Sequence, residues 1–417
     1  MSTGAVQDLV DTLAAGLRRS VVVDDPQVRL LHASRHYGDE DDVRRRAVLQ
    51  RDAGPEIVGY VLAQGVASWS RPGTIPAAEE LGLRARLCVP VRWRGTLLGL
   101  LMVVDADGTL RPDEVARIAA GADELAALLA EDRRPELDPA AQDDAEALED
   151  LAADQPSVRR SALRHLGARL GPRAELPLRA VVLVCRDEAA AEGGSPGHPA
   201  AALRYALSGE VVAPPAWGLL TSVRDDRATV LVTARTDPGE DAVAGLAERL
   251  VARVDAVGAG RLRCVAGVGG AGHGLEQARA VIGQARTAAS AAGRVRPGPV
   301  VRWSGLGEYA VLLRLPLDRL AGPDGPGVDA LPDEVSRLLA HDRDGTAVTT
   351  VLAFLDHAGS APAAADALHV HRTTLYYRLE RIREATGLDL DDGRTRLALH
   401  AGLRLRELLD PAGLRQV

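Results

Sequence analysis

Lysine is absent from all 417 residues, so every basic side chain other than histidine is arginine. With abundant Ala, Gly, Val and Leu, that bias points to a GC-rich coding sequence and not to a function. A basic surplus is also missing. The formal net charge is −8, which excludes bulk attraction to a polyanion. Any DNA contact must come from a local basic patch. No run approaches the roughly 18 apolar residues that a membrane span needs. No N-terminal stretch joins a basic start to an apolar core. The expectation is a soluble, unexported, cytoplasmic protein with no membrane partner. Cysteine is scarce: Cys88, Cys185 and Cys264 each sit inside an apolar run that reads as a strand. An odd, widely spaced set argues against a disulfide framework and a Cys-rich zinc site. The three read as small buried hydrophobes.

Catalytic signatures are missing too. His32 and His36 stand four apart, and His369 and His371 alternate, but no Cys or paired carboxylate completes a metal set. No Ser/His/Asp order or Gly-x-Ser-x-Gly elbow supports nucleophilic catalysis. The expectation is no catalytic residue, no metal and no cofactor. Gly267-Val268-Gly269-Gly270-Ala271-Gly272 matches G-x-G-x-x-G between a strand and a helix, and such a turn can cradle a pyrophosphate. No acid follows in Thr287 to Val295 to hold a ribose, and Gly274 adds a further glycine. A glycine-rich strand-to-helix turn is the competing reading.

At 46% hydrophobic content the chain can bury several cores, and its length suggests two to four domains. Helical spacing marks Gln7 to Leu17. Ser20 to Val23 and Val28 to Leu31 read as short strands around a turn. The charged stretch Arg35 to Asp52 reads as a surface segment, and Glu56 to Leu62 as a short helix. Leu87 to Trp93 and Thr96 to Val104 read as a hairpin turning at Arg94-Gly95. A long amphipathic helix starts at Pro112, with acids in its first turn. These elements predict a sheet with helices mainly on one side. Glu136 to Gln155, acidic and proline-bounded, reads as a linker merging into a connecting helix. Ser157 to Leu170 reads as a helix.

From 178 to about 315 a second α/β pattern follows. Ala180 to Val184 reads as a strand, and Trp217 to Val223 with Ala228 to Thr233 as a hairpin around Arg224-Asp225-Asp226-Arg227. Asp241 to Val257 reads as a helix, Leu262 to Val268 as a strand, and Leu275 to Ala292 as a helix. Gly322 to Gly327 (GPDGPG) marks a flexible boundary.

The last domain holds the sharpest pattern. Thr349 to His357 is helical and ends at Gly359-Ser360. Pro362 opens a short helix, Ala363 to Leu368, whose alanines let a neighbouring helix approach closely. His369-Val370 makes a turn, with Val370 plugging the space between helices. Arg372 to Glu384 forms the third helix, with Leu375, Leu379 and Ile382 as its buried stripe. Between His371 and Arg383 four arginines face one acid, Glu380, the electrostatic footprint of a recognition helix. Arg372 suits a bidentate contact to guanine, and His371 and Thr373 suit neighbouring base edges. Thr374, Tyr376, Tyr377 and Arg381 suit phosphates. Arg378 suits either a phosphate or a salt bridge within the domain. Gly387 caps the helix, and Arg394 to Leu409 adds a final one.

The segment AADALHVHRTTLYYRLERIREATGLDLDDGRTRLALHAGLRLREL, Ala364 to Leu408, closely resembles the C-terminal helix-turn-helix of PucR-family regulators. His371-Arg372-Thr373-Thr374-Leu375, Tyr377-Arg378-Leu379 and Thr386-Gly387-Leu388-Asp389-Leu390 carry the likeness, with Thr373 where Asn is frequent. The α/β pattern from 178 resembles the cyclase-like middle domain of the PucR and CdaR regulators. Its hairpin lacks the Gly-Gly-Asp/Glu-Glu-Phe turn that diguanylate cyclases use for nucleotide and metal. Ala85 to Asp105 (ARLCVPVRWRGTLLGLLMVVD) resembles part of a GAF domain, a small-molecule sensor.

The resemblance implies an α+β multidomain chain in four segments. Residues 1–132 form a GAF-like α/β sensor, and 133–176 an acidic linker and connecting helix. Residues 177–321 form a degenerate GGDEF-like α/β domain, and 328–412 an all-α helix-turn-helix domain. It also implies double-stranded DNA as partner, a homo-oligomer and a small-molecule effector. Trp69, Arg71, Cys88 and Trp93 stand where the sensor's ligand would sit; a degenerate pocket with core tryptophans is the alternative. The rival functions are an active nucleotide cyclase or phosphodiesterase, and an inactive cyclase-like signalling or interaction scaffold.

Overall fold

The computed structural model describes residues 2–39, 41–50, 53–93, 95–132, 139–187, 198–208, 213–258, 260–321 and 331–409. Arg94, the first part of the acidic stretch and the boundary at 322–327 therefore lie outside the described residues. The chain divides into two compact units, Met1–Ala289 and Ser290–Val417. Among the described residues no helix is long and apolar enough to cross a membrane.

The first unit opens with α1 (Ser2–Leu17), β1 (Val21–Asp24), β2 (Leu30–Ala33), α2 (Asp42–Gln50) and α3 (Pro55–Ala63). Then come β3 (Gly73–Ile75), β4 (Arg86–Trp93), β5 (Thr96–Val104) and α4 (Pro112–Asp132). The strands form an antiparallel sheet in the order β2-β1-β5-β4-β3. Alternation puts Val21, Val23, Leu87, Val89, Leu101 and Val103 on one face, where α1 and α4 close a core through Val10, Leu13, Ile118 and Leu125. Cys88, Leu100 and Met102, on the other face, are equally buried, while α1 and α4 lie together on one side of the sheet, as expected.

The charged stretch from 35 to 52 is also not a plain surface segment. Asp41 and Arg44 are 5% and 2% exposed. Asp41 accepts from the backbone N–H of Arg44 and Arg84 and pairs with Arg86, while Arg44 donates to the Ser34 carbonyl. Buried charge is tolerated because each group finds partners.

The rest of this unit comprises α5 (Pro139–Asp150), α6 (Pro156–Leu170), β6 (Pro177–Asp187), α7 (Pro199–Leu207), β7 (Gly218–Arg224) and β8 (Arg227–Thr233). It ends with α8 (Glu240–Gly258), β9 (Leu262–Val268), β10 (Gly272–His273) and α9 (Ala278–Ala291). Here β9, β6, β8 and β7 pair antiparallel in that order, and β10 pairs the start of β6. Leu148, Leu166, Ile282 and Ala285 of α5, α6 and α9 pack on the face bearing Ala180, Val182 and Leu231. Helices α7 and α8 lie on the opposite face.

Helix α5 is more than a linker. Its Glu149 accepts from Ser222 Oγ, Thr229 Oγ1 and Arg286 Nη2, tying it to β7, β8 and α9.

The glycine-rich turn after β9 has a packing cause. A Cβ on Gly267 would lie 2.0 Å from the Ala285 carbonyl oxygen, and one on Gly269 2.4 Å from that of Val281. These glycines let α9 lie against the sheet, and no phosphate is needed to explain them.

The second unit contains α10 (Tyr309–Leu312), α11 (Leu317–Ala321), α12 (Asp333–His341), α13 (Thr346–Asp356), α14 (Ala361–Ala367), α15 (Arg372–Thr386) and α16 (Gly393–Leu409). Leu338, Val351, Phe354, Ala364, Leu375, Ile382 and Leu399 share one core.

Candidate nucleic-acid interface

Helix α13 begins after Gly345, whose φ of 79° is left-handed. Its orphan N–H groups are taken by carboxylates. Asp344 accepts from Thr346, and Asp342 accepts from Ala347 and Val348, each at 3.0 Å. Those bonds hold the Asp344 carboxyl below the usual carboxylate range. The helix ends in a left-handed pair, Ala358 and Gly359, and Ser360 then caps α14.

Ala361, Ala364 and Ala365 of α14 are 5%, 0% and 2% exposed. Their small side chains let α14 sit against its neighbours, as the alanine run predicts. The turn to α15 runs through His369 (φ 53°), and the Val370 N–H returns to the Ala365 carbonyl at 3.0 Å. Val370 packs on the core, in its expected place as a plug.

His371 is the N-cap of α15. Its Nδ1 lies 2.7 Å from Thr373 Oγ1 and accepts from the Thr373 N–H at 3.4 Å. Leu375 and Ile382 are buried, and Leu379 packs on the core, forming the expected stripe. Gly387, at φ 67°, closes the helix by donating to the Arg383 carbonyl at 2.8 Å, since only glycine enters that region without strain. At the back, Asp356 at the end of α13 accepts from His400 and Arg404 of α16, and Tyr309 donates to Glu407.

This frame leaves one face of α15 uncovered. Arg372, Thr373, Thr374, Tyr376, Tyr377 and Arg381 are exposed, the tyrosines by 57% and 63%; Arg378 is half-buried. Arg381 stacks over the Tyr377 ring, 6.0 Å from its centroid. Thr374, Tyr377, Arg378 and Arg381 also line one wall of a groove of about 660 Å³. Arg343, just before α13, and Thr346 and Thr350, in its first two turns, stand on its other wall. Arg378 lies close enough to Asp344 to help lower its carboxyl.

Arg343 was not among the residues expected from sequence. The signal was the turn His341-Asp342-Arg343-Asp344-Gly345, whose two acids serve as caps and mask an arginine beside the recognition helix. The second arginine wall could only be found from the packing.

The residues expected around a sensor ligand scatter more widely. The Trp69 ring stands over Gly73, and Gly73 pairs with Cys88 across β3 and β4, so those two are brought together. Cys88 is fully buried, Arg71 is exposed, and Trp93 is 38% exposed at the far end of β4. A cavity of about 470 Å³ lies elsewhere in this unit, between α3 and the C-terminal end of α8, and none of the four lines it. Among the described residues no three His, Cys, Asp or Glu side chains could hold a metal ion.

Comparison with known proteins places two stretches. Residues 347–405 match the PucR C-terminal helix-turn-helix domain, and residues 153–291 match a GGDEF-like domain. Over 97 residues the chain is 39% identical to the carbohydrate diacid regulator of Escherichia coli K12, covering 23% of this chain and 25% of that one. Over 112 residues it is 33% identical to an uncharacterized protein of Mycobacterium tuberculosis H37Rv, covering 27% of each. The chain thus spans about a quarter of the length of these relatives.

Among solved structures, a regulator of polyketide synthase expression from Bifidobacterium adolescentis aligns with 65% of this chain and 99% of its own, at 19% identity and a TM-score of 0.27. PelD of Pseudomonas aeruginosa PA14, in complex with c-di-GMP, aligns with 64% of this chain and 82% of its own, at 18% identity and a TM-score of 0.19. Scores that low carry no argument.

Proposed function

We propose a function for a chain that belongs to the PucR/CdaR family of regulators through its middle and C-terminal domains: it is a transcription regulator that binds double-stranded DNA sequence-specifically through α15. The observation that carries this reading is the uncovered arginine- and tyrosine-bearing face of α15 on a packed helical frame. Arg372, in the exposed first turn, pairs bidentately with a guanine edge, a contact worth roughly 1–3 kcal/mol of discrimination. His371 and Thr373, linked at the cap, address adjacent base edges. Thr374, Tyr376, Tyr377 and Arg381 hold phosphates, and Arg378 and Arg343 extend that contact along the groove.

No catalysis is part of the proposal. The hairpin acids Asp225 and Asp226 lie exposed on a turn without paired glycines or an aromatic, and Glu149 of α5 is bonded on both strands beside it. The first domain is read as a GAF-like sensor, and the chain as cytoplasmic and homo-oligomeric, since paired half-sites demand a fixed spacing of two recognition helices. The cavity at α3 and α8 supports a small-molecule effector held between the two sheets' modules, because ligand pockets favour such junctions.

The test is footprinting of the purified chain on genomic fragments, followed by affinity measurements on the protected site. Binding should weaken steeply with salt. Arg372→Ala should lose discrimination among sites, and Thr374→Ala should weaken all sites alike. Unchanged selectivity in Arg372→Ala would refute the role given to α15's first turn.

A further inference from the structure

Cys185 and Cys264 are far apart in sequence, yet the register of β6 and β9 sets their Cα atoms directly opposite each other. The backbone decides which kind of pair this is. The Cys185 N–H donates to the Asp226 carbonyl at 2.7 Å, on the β8 side. The Cys264 N–H bonds the Asp255 carboxylate. The neighbouring residues of alternate parity face β9 instead, as when the Gly269 N–H donates to the Ala180 carbonyl at 2.9 Å. Cys185 and Cys264 therefore form a non-hydrogen-bonded pair, where opposing Cα atoms approach to about 4.5 Å and side chains stand closest. That lies inside the roughly 4.4–6.8 Å span of a disulfide. Both side chains point to the same buried face of the sheet, at 0% and 1% exposure, and both are free thiols.

We propose that Cys185 and Cys264 are a modification site, a thiol pair that a small-molecule disulfide converts into a cross-strand disulfide. In the reaction the two S–H bonds and the oxidant's S–S bond break, and the Cys185–Cys264 bond forms. The pair gives up two electrons and two protons, and the oxidant leaves as two thiols. Exchange passes through a mixed disulfide on one cysteine, which the other resolves.

Burial pushes the Cys185 thiol up to about 12 and raises that of Cys264 as well, with Cys185 itself contributing to the latter. Thiolate is scarce at neutral pH, so the bond forms slowly and faster as pH rises. Once formed it resists reduction, because a high-pKa thiol is a poor leaving group. Cys88 is the internal control: its partners across the strands are Gly73 and Met102.

The full chain is incubated with oxidised glutathione in mildly alkaline buffer, and a second portion is refolded from denaturant in the same buffer. Remaining thiols are alkylated under denaturing conditions, and the digest is read by mass spectrometry. A Cys185–Cys264 cross-linked peptide in either portion, with Cys88 alkylated, is the expected result, and the link should be absent in Cys264→Ala. Alkylated Cys185 and Cys264 in both portions, or glutathione retained on each, overturns the proposal.

Discussion

At the scale of single residues, Asp24 is a carboxyl whose ionisation costs the fold. It sits at the end of β1, 9% exposed, on the face of the first sheet that bears Leu100 and Met102, opposite α1 and α4. Burial raises its pKa to about 7; Asp25 adds to the rise, while Arg86 and Arg44 oppose it. Cys88, close by, is itself pushed up to about 12, by burial and then by Asp24. In the unfolded chain an aspartate ionises near 4. The folded state thus holds a proton that the unfolded state has released, and stability falls as pH rises from about 4 through about 7. At 1.36 kcal/mol per pH unit, the difference amounts to roughly 4 kcal/mol. Asp24→Asn should remove that slope. Urea unfolding at about pH 5 and about pH 8 should show wild type losing stability between the two and the variant nearly level. Parallel losses in both proteins would show that Asp24 is not the titrating group.

At the scale of elements, the approach of α9 to β9 gives a paired test. Gly267→Ala puts a methyl into the Ala285 carbonyl, and such overpacking costs about 1–3 kcal/mol or more. Gly283→Ala, on the same helix with open space at its Cβ, should instead stabilise by roughly 0.5–1 kcal/mol through backbone entropy. Denaturant midpoints measure both, and equal shifts would mean the glycines are not there for close packing. The contrast also shows what the sequence can and cannot reveal. The hairpin at Arg224–Arg227 and the boundaries of α15 were legible because turn residues, caps and a buried stripe are local signals. The stretch holding α5 reads as a linker merging into a connecting helix, and what that reading does not reveal is its anchorage, because the main anchor is one carboxylate, Glu149, whose partners lie on three other elements. Helix α2 was misread for the same reason, since Arg44 looks like surface charge until Asp41 and Ser34 are folded beside it. At the interface, side chains along α15 could be placed from helical periodicity, whereas Arg343 could not.

At the scale of the whole molecule, the first unit holds two sheets' worth of structure as one body, and particular contacts account for it. Gly59 of α3 lies where a Cβ would stand 2.1 Å from the Val257 carbonyl of α8. Arg29, from the β1–β2 turn, and Arg253 of α8 both donate to the Ser208 carbonyl, at 2.8 and 3.0 Å. Their guanidinium groups lie 5.3 and 5.5 Å from the centroid of the Tyr205 ring. Backbone contact of that kind tolerates no side chain. Gly59→Val should therefore separate α3 from α8 while leaving each sheet's own core intact. Hydrogen exchange is the discriminating measurement: amides of α3 and the last turns of α8 should exchange faster, and those of β5 and β6 should keep their protection. An effector seated in the adjacent cavity would then bind more weakly, because its walls come from these two helices. Unchanged exchange at α3 and α8 would mean that the two modules are held together elsewhere.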